Sequence, residues 1–163
     1  MGLFSRNTAE STQNIAAVCT VDLPRYLGKW YEICRLPHSF EKDLENVTAN
    51  YNLKNDGKIE VVNAGTKNGQ KKEARATAWI PDKNCTGKLF VSFFRPFKSE
   101  YKIIKLDESG YSFAVVTSSS KKYLWILSRT PSISAELYDE LISYVTNLGF
   151  DTSKIILVSQ AGN

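Results

Sequence analysis

The sequence predicts an all-β fold, an eight-stranded antiparallel up-and-down barrel with one C-terminal α-helix packed outside it. Three observations carry this prediction. Between residues 28 and 129, short runs alternate apolar and polar side chains, which is the pattern of strands with one buried face. Residues that favour turns separate these runs. After Pro131 the apolar residues change to helical spacing, which indicates one helix against the sheet.

The strands follow from the alternation and from the turns that interrupt it. Val47, Ala49 and Tyr51 share one face of a run, while Thr48 and Asn50 share the other. The same pattern predicts eight strands, at residues 28–37, 46–53, 58–65, 71–80, 87–95, 100–106, 111–117 and 122–129. Short connections favour antiparallel neighbours, and closing the meander removes its exposed edges. The interior of such a barrel has room for one small ligand.

The C-terminal helix is predicted over about residues 134–148. Ser132 or Ser134 can cap its start, and Gly149 stands where a glycine commonly follows a helix. A short strand, Lys154 to Ser159, then returns to the edge of the sheet. The apolar residues that recur near helical spacing are Leu137, Leu141, Val145 and Leu148.

Composition limits the function classes. The 163 residues suit one domain with a single buried core. Twenty-one basic and 17 acidic residues give a net charge of +4, and this small, scattered excess argues against nucleic-acid binding. No stretch approaches the roughly 18 apolar residues of a membrane span. Weak attraction to an anionic membrane surface stays open, because lysines contribute to it near the headgroups.

Residues 1–20 are predicted to form a flexible N-terminal tail, followed by a barrel domain over residues 21–163. Met1 to Asn14 has no apolar segment of the signal-peptide kind, and the residues before Cys19 fit a lipoprotein cleavage site poorly. The chain as given is therefore expected in the cytoplasm, unless a native leader has been replaced.

The cysteines Cys19, Cys34 and Cys85 leave at least one thiol unpaired. Three free thiols are expected, and a disulfide between Cys19 and Cys85 in an oxidising compartment is the alternative. The absence of CxxC spacing and the single histidine argue against zinc. We expect no metal and no cofactor. His38 is expected to be a solvent-facing loop residue, with axial ligation of haem as the weaker alternative.

Several stretches resemble the motifs of the lipocalin family, and the resemblance covers residues 22–160. They are Arg25 to Ile33, Leu36 to Glu41, Val91 to Phe97, Tyr123 to Pro131 and Gly149 to Lys154. The chain is most similar to the branch that contains apolipoprotein D and the Blc-type bacterial lipocalins, which are anchored to the outer membrane. Its departures from the Blc pattern are the missing leader, Cys34 and the long polar N-terminal tail.

This resemblance implies structural roles for Trp30 and Arg129. Trp30 is expected to pack across the closed end of the barrel, and Arg129 to lie over it. A guanidinium over an indole ring is a cation–π contact of about 0.5–2 kcal/mol. Both residues should therefore seal the barrel without contacting a ligand.

The orientation of Trp30 also predicts which residues face the interior. Because side chains alternate along a strand, Glu32, Cys34 and Leu36 should point inward with it. The resemblance extends the assignment to the other strands, and Phe40 is expected at the mouth, with simple surface exposure as its alternative. The expected ligand-binding residues are Leu36, Phe40, Ala49, Tyr51, Ile59, Val61, Ala76, Val91, Phe93, Tyr101, Ile103, Val116 and Trp125.

Most of these inward residues are apolar, as in ligand cavities, and the alanines at 74, 76 and 78 should leave space. A solid core is the alternative. The expected function is carriage of a fatty acid or lysophospholipid in the barrel, for membrane maintenance or stress response.

Two other hypotheses stay open. One is an isomerase-like barrel enzyme that uses Cys34 in the cavity. The other is an interaction module in which residues 37–40 and 94–97 form an apolar rim. That rim is compatible with peripheral membrane contact and with a monomer or weak homodimer.

Overall fold

The computed structural model describes residues 10–163, so residues 1–9 lie outside the described part of the chain. The strands of the barrel are β1 (Gly28–Arg35), β2 (Glu45–Leu53), β3 (Ile59–Lys67), β4 (Gln70–Trp79), β5 (Lys88–Ser92), β6 (Ser99–Leu106), β7 (Phe113–Thr117) and β8 (Leu124–Ser128). A ninth short strand, β9 (Ile156–Leu157), lies outside the barrel. The helices are α1 (Leu23–Tyr26) and α2 (Ala135–Asn147), with 3-10 turns at Ser39–Glu41 and Thr152–Lys154.

The eight strands form a closed antiparallel meander. Each strand pairs with the next in the chain, and β1 pairs with both β2 and β8, which closes the sheet. The loops β1–β2, β3–β4, β5–β6 and β7–β8 therefore lie at one end, the open end, while α1 precedes β1 at the other. The predicted barrel with one external helix is confirmed.

Strand ends differ from the prediction where local hydrogen bonds take over. The fifth strand ends at Ser92, because Phe97 N–H donates to the Phe94 carbonyl and turns the chain. The seventh begins at Phe113, because Tyr111 has a φ of 52° and its N–H donates to the Asp107 carbonyl. The sequence alternation continued through both turns and therefore did not mark them.

Helix α2 covers one outer face of the barrel. Ser134 Oγ accepts a hydrogen bond of 3.1 Å from Leu137 N–H at its start, and Gly149 follows its end with a φ of 94°. Leu141 and Val145 are fully buried against the sheet. The buried residues of this external cluster are Ile15, Ile33, Cys34, Leu36, Ile104, Val115, Leu124, Ile126, Leu141, Val145 and Phe150.

A β-bulge in β1 changes which side chains face inward. Glu32 pairs with Leu127, but the next pair is Cys34 with Ile126, so β1 has one extra residue at Ile33. A bulge of this kind shifts the alternation of the strand by one position. The predicted inward orientation of Cys34 and Leu36 is therefore wrong, since both pack beneath α2 in the external cluster.

The segment before the barrel is packed against it. Thr12 N–H donates to the Ser119 carbonyl at 3.1 Å, and Val18 N–H to the Ile103 carbonyl at 2.8 Å. The buried Lys102 Nζ donates to the Thr12 carbonyl at 2.8 Å. A flexible tail over residues 1–20 thus does not describe residues 10–20, and residues 1–9 lie outside the described residues.

Cys19 and Cys85 form a disulfide bond across 66 residues of sequence. The expectation of three free thiols is therefore wrong, and Cys34 is the free, buried thiol of the described chain. A hydrogen bond of 3.0 Å from Thr86 N–H to the Cys19 carbonyl holds the two segments side by side.

The C-terminal segment packs where β1 and β2 move apart. Strand β9 pairs with β1 through Cys34 and Leu157. Gln160 Nε2 then donates to the Glu32 carbonyl at 2.8 Å and to the Val47 carbonyl at 2.9 Å, bridging the two strands. Between residues 10 and 163, neither helix has the length and apolar character needed to cross a membrane.

Candidate functional site

The closed end of the barrel is sealed by Trp30 and Arg129. Trp30 is fully buried, and its Nε1 donates to the Tyr26 carbonyl at 2.8 Å. The Arg129 guanidinium carbon lies 3.8 Å from the centroid of the indole. Its Nη1 and Nη2 donate to the carbonyls of Lys29, at 2.9 Å, and Arg25, at 2.7 Å. One cation thus covers the ring and joins the segments that close the barrel.

Three tyrosines form a polar layer next to this floor. The Tyr101 hydroxyl lies 2.5 Å from that of Tyr26 and 2.8 Å from that of Tyr51. Burial raises the pKa of all three phenols, so they are neutral at physiological pH. Two hydrogen bonds among three hydroxyls leave one phenolic proton available to a water molecule or a ligand.

The lower half of the barrel is nearly filled. An apolar cavity beside the tyrosines measures about 10 Å³, enough for about one water molecule. Its lining residues are Val21, Leu23, Tyr26, Leu27, Tyr51, Ile59, Ala78, Thr86, Leu89, Val91, Tyr101 and Ile103. A ligand larger than a few atoms therefore needs the upper half of the barrel, or movement of these side chains.

The upper half opens toward solvent at β4 and at the end of β5. On the inward face of β4, Ala78 is 1% exposed and Ala76 is 6% exposed, while Ala74 is exposed. Phe93, just beyond β5, is 47% exposed. The exposure of inward side chains thus increases toward the open end, and this upper half of the barrel is named the cup.

The expected ligand-binding residues fall into three groups. Those buried in the interior are Ala49, Tyr51, Ile59, Val61, Ala76, Ile103 and Val116, with Val91, Tyr101 and Trp125 half-buried beside them. Phe40 and Phe93 are exposed at the open end. Leu36 lies outside the barrel beneath α2. Their contact with a ligand stays a prediction.

A group of charged side chains, the mouth cluster, lies at the upper end of β1 and consists of Glu32, Arg35, His38 and Glu41. The bulge turns Arg35 inward, where its Nη1 donates to Glu32 Oε1 at 3.2 Å and its Nη2 to the Glu41 carbonyl at 2.7 Å. The exposed fractions of the four side chains are 3% for Arg35, 5% for Glu32, 8% for His38 and 13% for Glu41.

The two carboxyls of the mouth cluster differ in protonation. Burial raises the pKa of Glu32 well above its ordinary value, and the neighbouring Glu41 raises it further. Burial also acts to raise the pKa of Glu41, but contacts with His38 and Glu32 and the charges of His38 and Arg35 outweigh it and lower the pKa. Of the pair, Glu41 is therefore the carboxylate and Glu32 retains its proton more readily.

His38 is not the solvent-facing residue that the sequence predicted. Its ring packs 5.4 Å from the centroid of Trp125, 6.0 Å from Tyr123 and 6.2 Å from Phe40. This aromatic environment buries the imidazole. Simple strand alternation, without the bulge, predicted that Arg35 lies on the outer face of the barrel. The mouth cluster was therefore missed, although a charged side chain between apolar neighbours on β1 was a signal for it.

The open end also exposes phenylalanines on two loops. Phe40 on the β1–β2 loop is 85% exposed, and Phe94 and Phe97 on the β5–β6 loop are 78% and 76% exposed. Lys42, Arg95 and Lys98 adjoin them in sequence. The open end is thus an apolar and basic rim.

Comparison with known proteins identifies related chains. Residues 21–160 match the family model of a lipocalin-like domain. The chain is 43% identical over 150 residues to the outer membrane lipoprotein Blc of Vibrio cholerae, covering 91% of this chain and 88% of that protein. It is 33% identical over 151 residues to apolipoprotein D of Mus musculus, covering 86% and 77%. The resemblance to this branch is confirmed.

Two further similarities agree with these. The chain is 33% identical over 144 residues to temperature-induced lipocalin-1 of Arabidopsis thaliana, covering 83% of this chain and 77% of that protein. Among solved structures, insecticyanin from the tobacco hornworm Manduca sexta superposes with a TM-score of 0.73 at 22% identity, covering 89% and 84% of the two chains. At that identity the similarity concerns the fold.

Proposed function

Because this chain belongs to the lipocalin family, we propose that it carries one fatty acid or lysophospholipid in its barrel, in membrane maintenance or stress response. Lipocalins bind small hydrophobic ligands, and the finer choice of an acyl lipid is the proposal. The observation that supports this proposal most directly is the cup above the tyrosine layer. Its apolar inward side chains become more exposed from Ala78 to Ala74.

An acyl chain suits a narrow apolar barrel that opens at one end. Burying about fourteen methylenes contributes roughly 11 kcal/mol before the costs of association, which leaves micromolar or tighter binding. The headgroup then stays near the open end. The relatives named for the outer membrane and for induction by temperature support roles at membranes and in stress.

The test is a titration of delipidated protein with palmitate, lysophosphatidylcholine and retinol, followed by tryptophan emission. We expect saturable one-to-one binding of an acyl lipid at about micromolar concentration or below. A folded protein that binds none of the three would overturn the proposal.

A pair of variants tests the location of the ligand. Ala76→Trp places an indole inside the cup, and Thr77→Trp places the same ring on the opposite face of β4. Binding measured by calorimetry should be lost in the first variant and kept in the second, with folding checked by circular dichroism. Equal affinities in two folded variants would argue against a ligand in the barrel.

The alternative of a barrel enzyme that uses Cys34 is disfavoured. Cys34 packs beneath α2, on the opposite side of the sheet from the interior. Burial raises the pKa of its thiol to about 12, and the charge of Glu32 acts in the same direction. A nucleophilic cysteine needs the opposite, a lowered pKa and access to substrate.

We also infer that the apolar and basic rim contacts a membrane surface, and that the protein is a monomer or a weak homodimer. Exposed phenylalanines with adjoining cations suit an interface of acyl chains and anionic headgroups. Co-sedimentation with vesicles containing phosphatidylglycerol should weaken in a Phe94→Ser/Phe97→Ser variant. Unchanged co-sedimentation, or dimerisation through this rim on sizing at several concentrations, would contradict the membrane contact.

A further inference from the structure

The mouth cluster is unusual because its polar atoms are not satisfied. In the part of the chain that the structure describes, the buried side-chain nitrogens and oxygens without a hydrogen-bond partner are Arg35 Nε, His38 Nδ1, His38 Nε2 and Glu41 Oε2. All four belong to this one cluster. Buried polar groups are normally paired because an unpaired one costs free energy, so their concentration at one place indicates a site that a ligand completes.

The geometry identifies where a ligand atom would lie. Glu41 Oε2 is 3.4 Å from Arg35 Nε and 3.5 Å from His38 Nε2, and neither contact has the alignment of a hydrogen bond. Two nitrogens therefore converge on one oxygen that satisfies neither of them. A ligand oxygen at this position would have both nitrogens within reach.

We propose that Arg35 and His38 bind the oxyanion of the ligand headgroup, a carboxylate or a phosphate, in the place that Glu41 Oε2 occupies. This inference rests on the proposed function, since it assigns the headgroup of the acyl ligand. It makes the barrel selective for anionic acyl lipids over neutral ones of the same chain length.

The charges favour an anion over a cation. The guanidinium of Arg35 is a cation, and its hydrogen-bonded neighbour Glu32 has a raised pKa, so this carboxyl neutralises Arg35 poorly. Glu41 is the counterion, but it lies on the Ser39–Glu41 turn of a loop, whereas Arg35 is fixed on β1. Exchange of Glu41 for a ligand oxyanion can therefore proceed by rotation of the Glu41 side chain, which keeps the hydrogen bond from Arg35 Nη2 to the Glu41 carbonyl.

The position also suits a headgroup. Arg35 is the cross-strand partner of Trp125, and the His38 ring lies 5.4 Å from that indole. Trp30 and Arg35 are five residues apart on β1, a distance of roughly 16 Å at the rise of an extended strand. An acyl chain that extends toward the closed end, with movement of the side chains that fill the lower half, would leave its charged group at the level of Arg35.

The test compares ligands that share one oleoyl chain. Oleate, methyl oleate and oleoyl lysophosphatidic acid are titrated at about pH 8, and the readout is the ratio of the methyl oleate dissociation constant to that of each anion. We expect a ratio of about ten or more in the wild type, because one charged hydrogen bond to the anion strengthens binding by about that factor. The tighter of the two anions identifies a carboxylate or a phosphate site.

Variants then assign the effect to the cluster. Arg35→Gln should lower the ratio about tenfold, and Glu41→Gln should raise it, because the competing carboxylate is gone. Lys54→Gln, at the closed end, is the matched loss of one cation and should leave the ratio unchanged. If Arg35→Gln does not fold, the direction in which Glu41→Gln changes the ratio tests the proposal on its own.

The outcomes separate this inference from the proposed function. Saturable binding with a ratio near one in the wild type, or the wild-type ratio in both folded cluster variants, overturns the oxyanion site and leaves the carrier intact. A fall in the ratio for Glu41→Gln also overturns it. Failure of every oleoyl ligand to bind overturns the carrier and the site together.

Discussion

The guanidinium of Arg129 lies 3.8 Å above the indole of Trp30, although 99 positions separate the two residues in sequence. The same guanidinium donates hydrogen bonds to the carbonyls of Lys29 and Arg25. One side chain at the end of β8 thereby holds the start of β1 and α1 in place.

Replacing Arg129 with methionine should lower the free energy of unfolding by about 2–3 kcal/mol, because the cation–π contact and the charged hydrogen bonds are lost. Urea unfolding followed by tryptophan emission measures the change. The control is Arg75→Gln, whose partners Glu60 and Glu73 form exposed ion pairs, for which we expect a loss below about 1 kcal/mol. Equal losses in the two variants would mean that Arg129 is an ordinary surface cation.

Removing the Cys19–Cys85 disulfide should destabilise the folded chain. A cross-link over 66 residues restricts the unfolded state by an amount worth about 4 kcal/mol in the chain-entropy model. We expect a loss of about 2–4 kcal/mol on reduction with dithiothreitol, measured by urea unfolding. The Cys19→Ser/Cys85→Ser double variant should match the reduced protein and not respond to the reductant. A wild type that is equally stable in both redox states would show that the bond does not contribute to stability.

The mouth cluster should make stability depend on pH through Glu32. Its pKa in the folded state is raised well above 4.5, first by burial and then by Glu41. Because the folded state holds this proton more tightly, the stabilisation is fully present below the unfolded pKa and is lost as pH rises through the folded pKa. Between those values each pH unit costs up to about 1.4 kcal/mol.

Glu32→Gln, which cannot titrate, should therefore become progressively more stable than the wild type as pH increases above about 4.5 toward the raised pKa of Glu32. If the difference in the free energy of unfolding between the two proteins does not change with pH, a group other than Glu32 holds the proton. Glu60→Gln on the outside of β3 serves as the control, since its carboxylate is more than one-third exposed.

Cys34 should be inert toward iodoacetamide in the native protein. Its thiol is buried beneath α2, and its pKa is raised to about 12, so the reactive thiolate is scarce at pH 8. Mass spectrometry should find modification of Cys34 only after denaturation. Rapid labelling of Cys34 in the folded state at neutral pH would revive the enzyme hypothesis.

Much of the fold was predictable because local signals agree with it. The hairpin between β3 and β4 is one example: Asn68 and Gly69 both adopt positive φ, at 53° and 76°, as a two-residue turn requires. Trp30 and Arg129 were placed by motif. The alternation of β4 predicted the inward alanines, because that strand has no bulge between Ala74 and Ala78.

The mouth cluster was not predictable in the same way. The bulge at Ile33 leaves no mark in sequence, since Ile33 and Cys34 are both apolar and both pack outside the barrel. One extra residue exchanged Leu36 for Arg35 at the inward position. The packed segment from Glu10 to Thr20 depends on long-range hydrogen bonds to β6 and the β7–β8 loop, which no local pattern reports.

The positions of the two ends of the described chain determine where the barrel could be attached to a support. Lys121 N–H on the β7–β8 loop donates to the Glu10 carbonyl, and Gly162 N–H near the other terminus donates to Asn46 Oδ1 at the start of β2. Both ends of the described chain thus lie at the level of the cup's opening. A tether joined directly at Glu10 or at Gly162 would therefore meet the barrel at its open end, opposite the base that Trp30 and Arg129 seal.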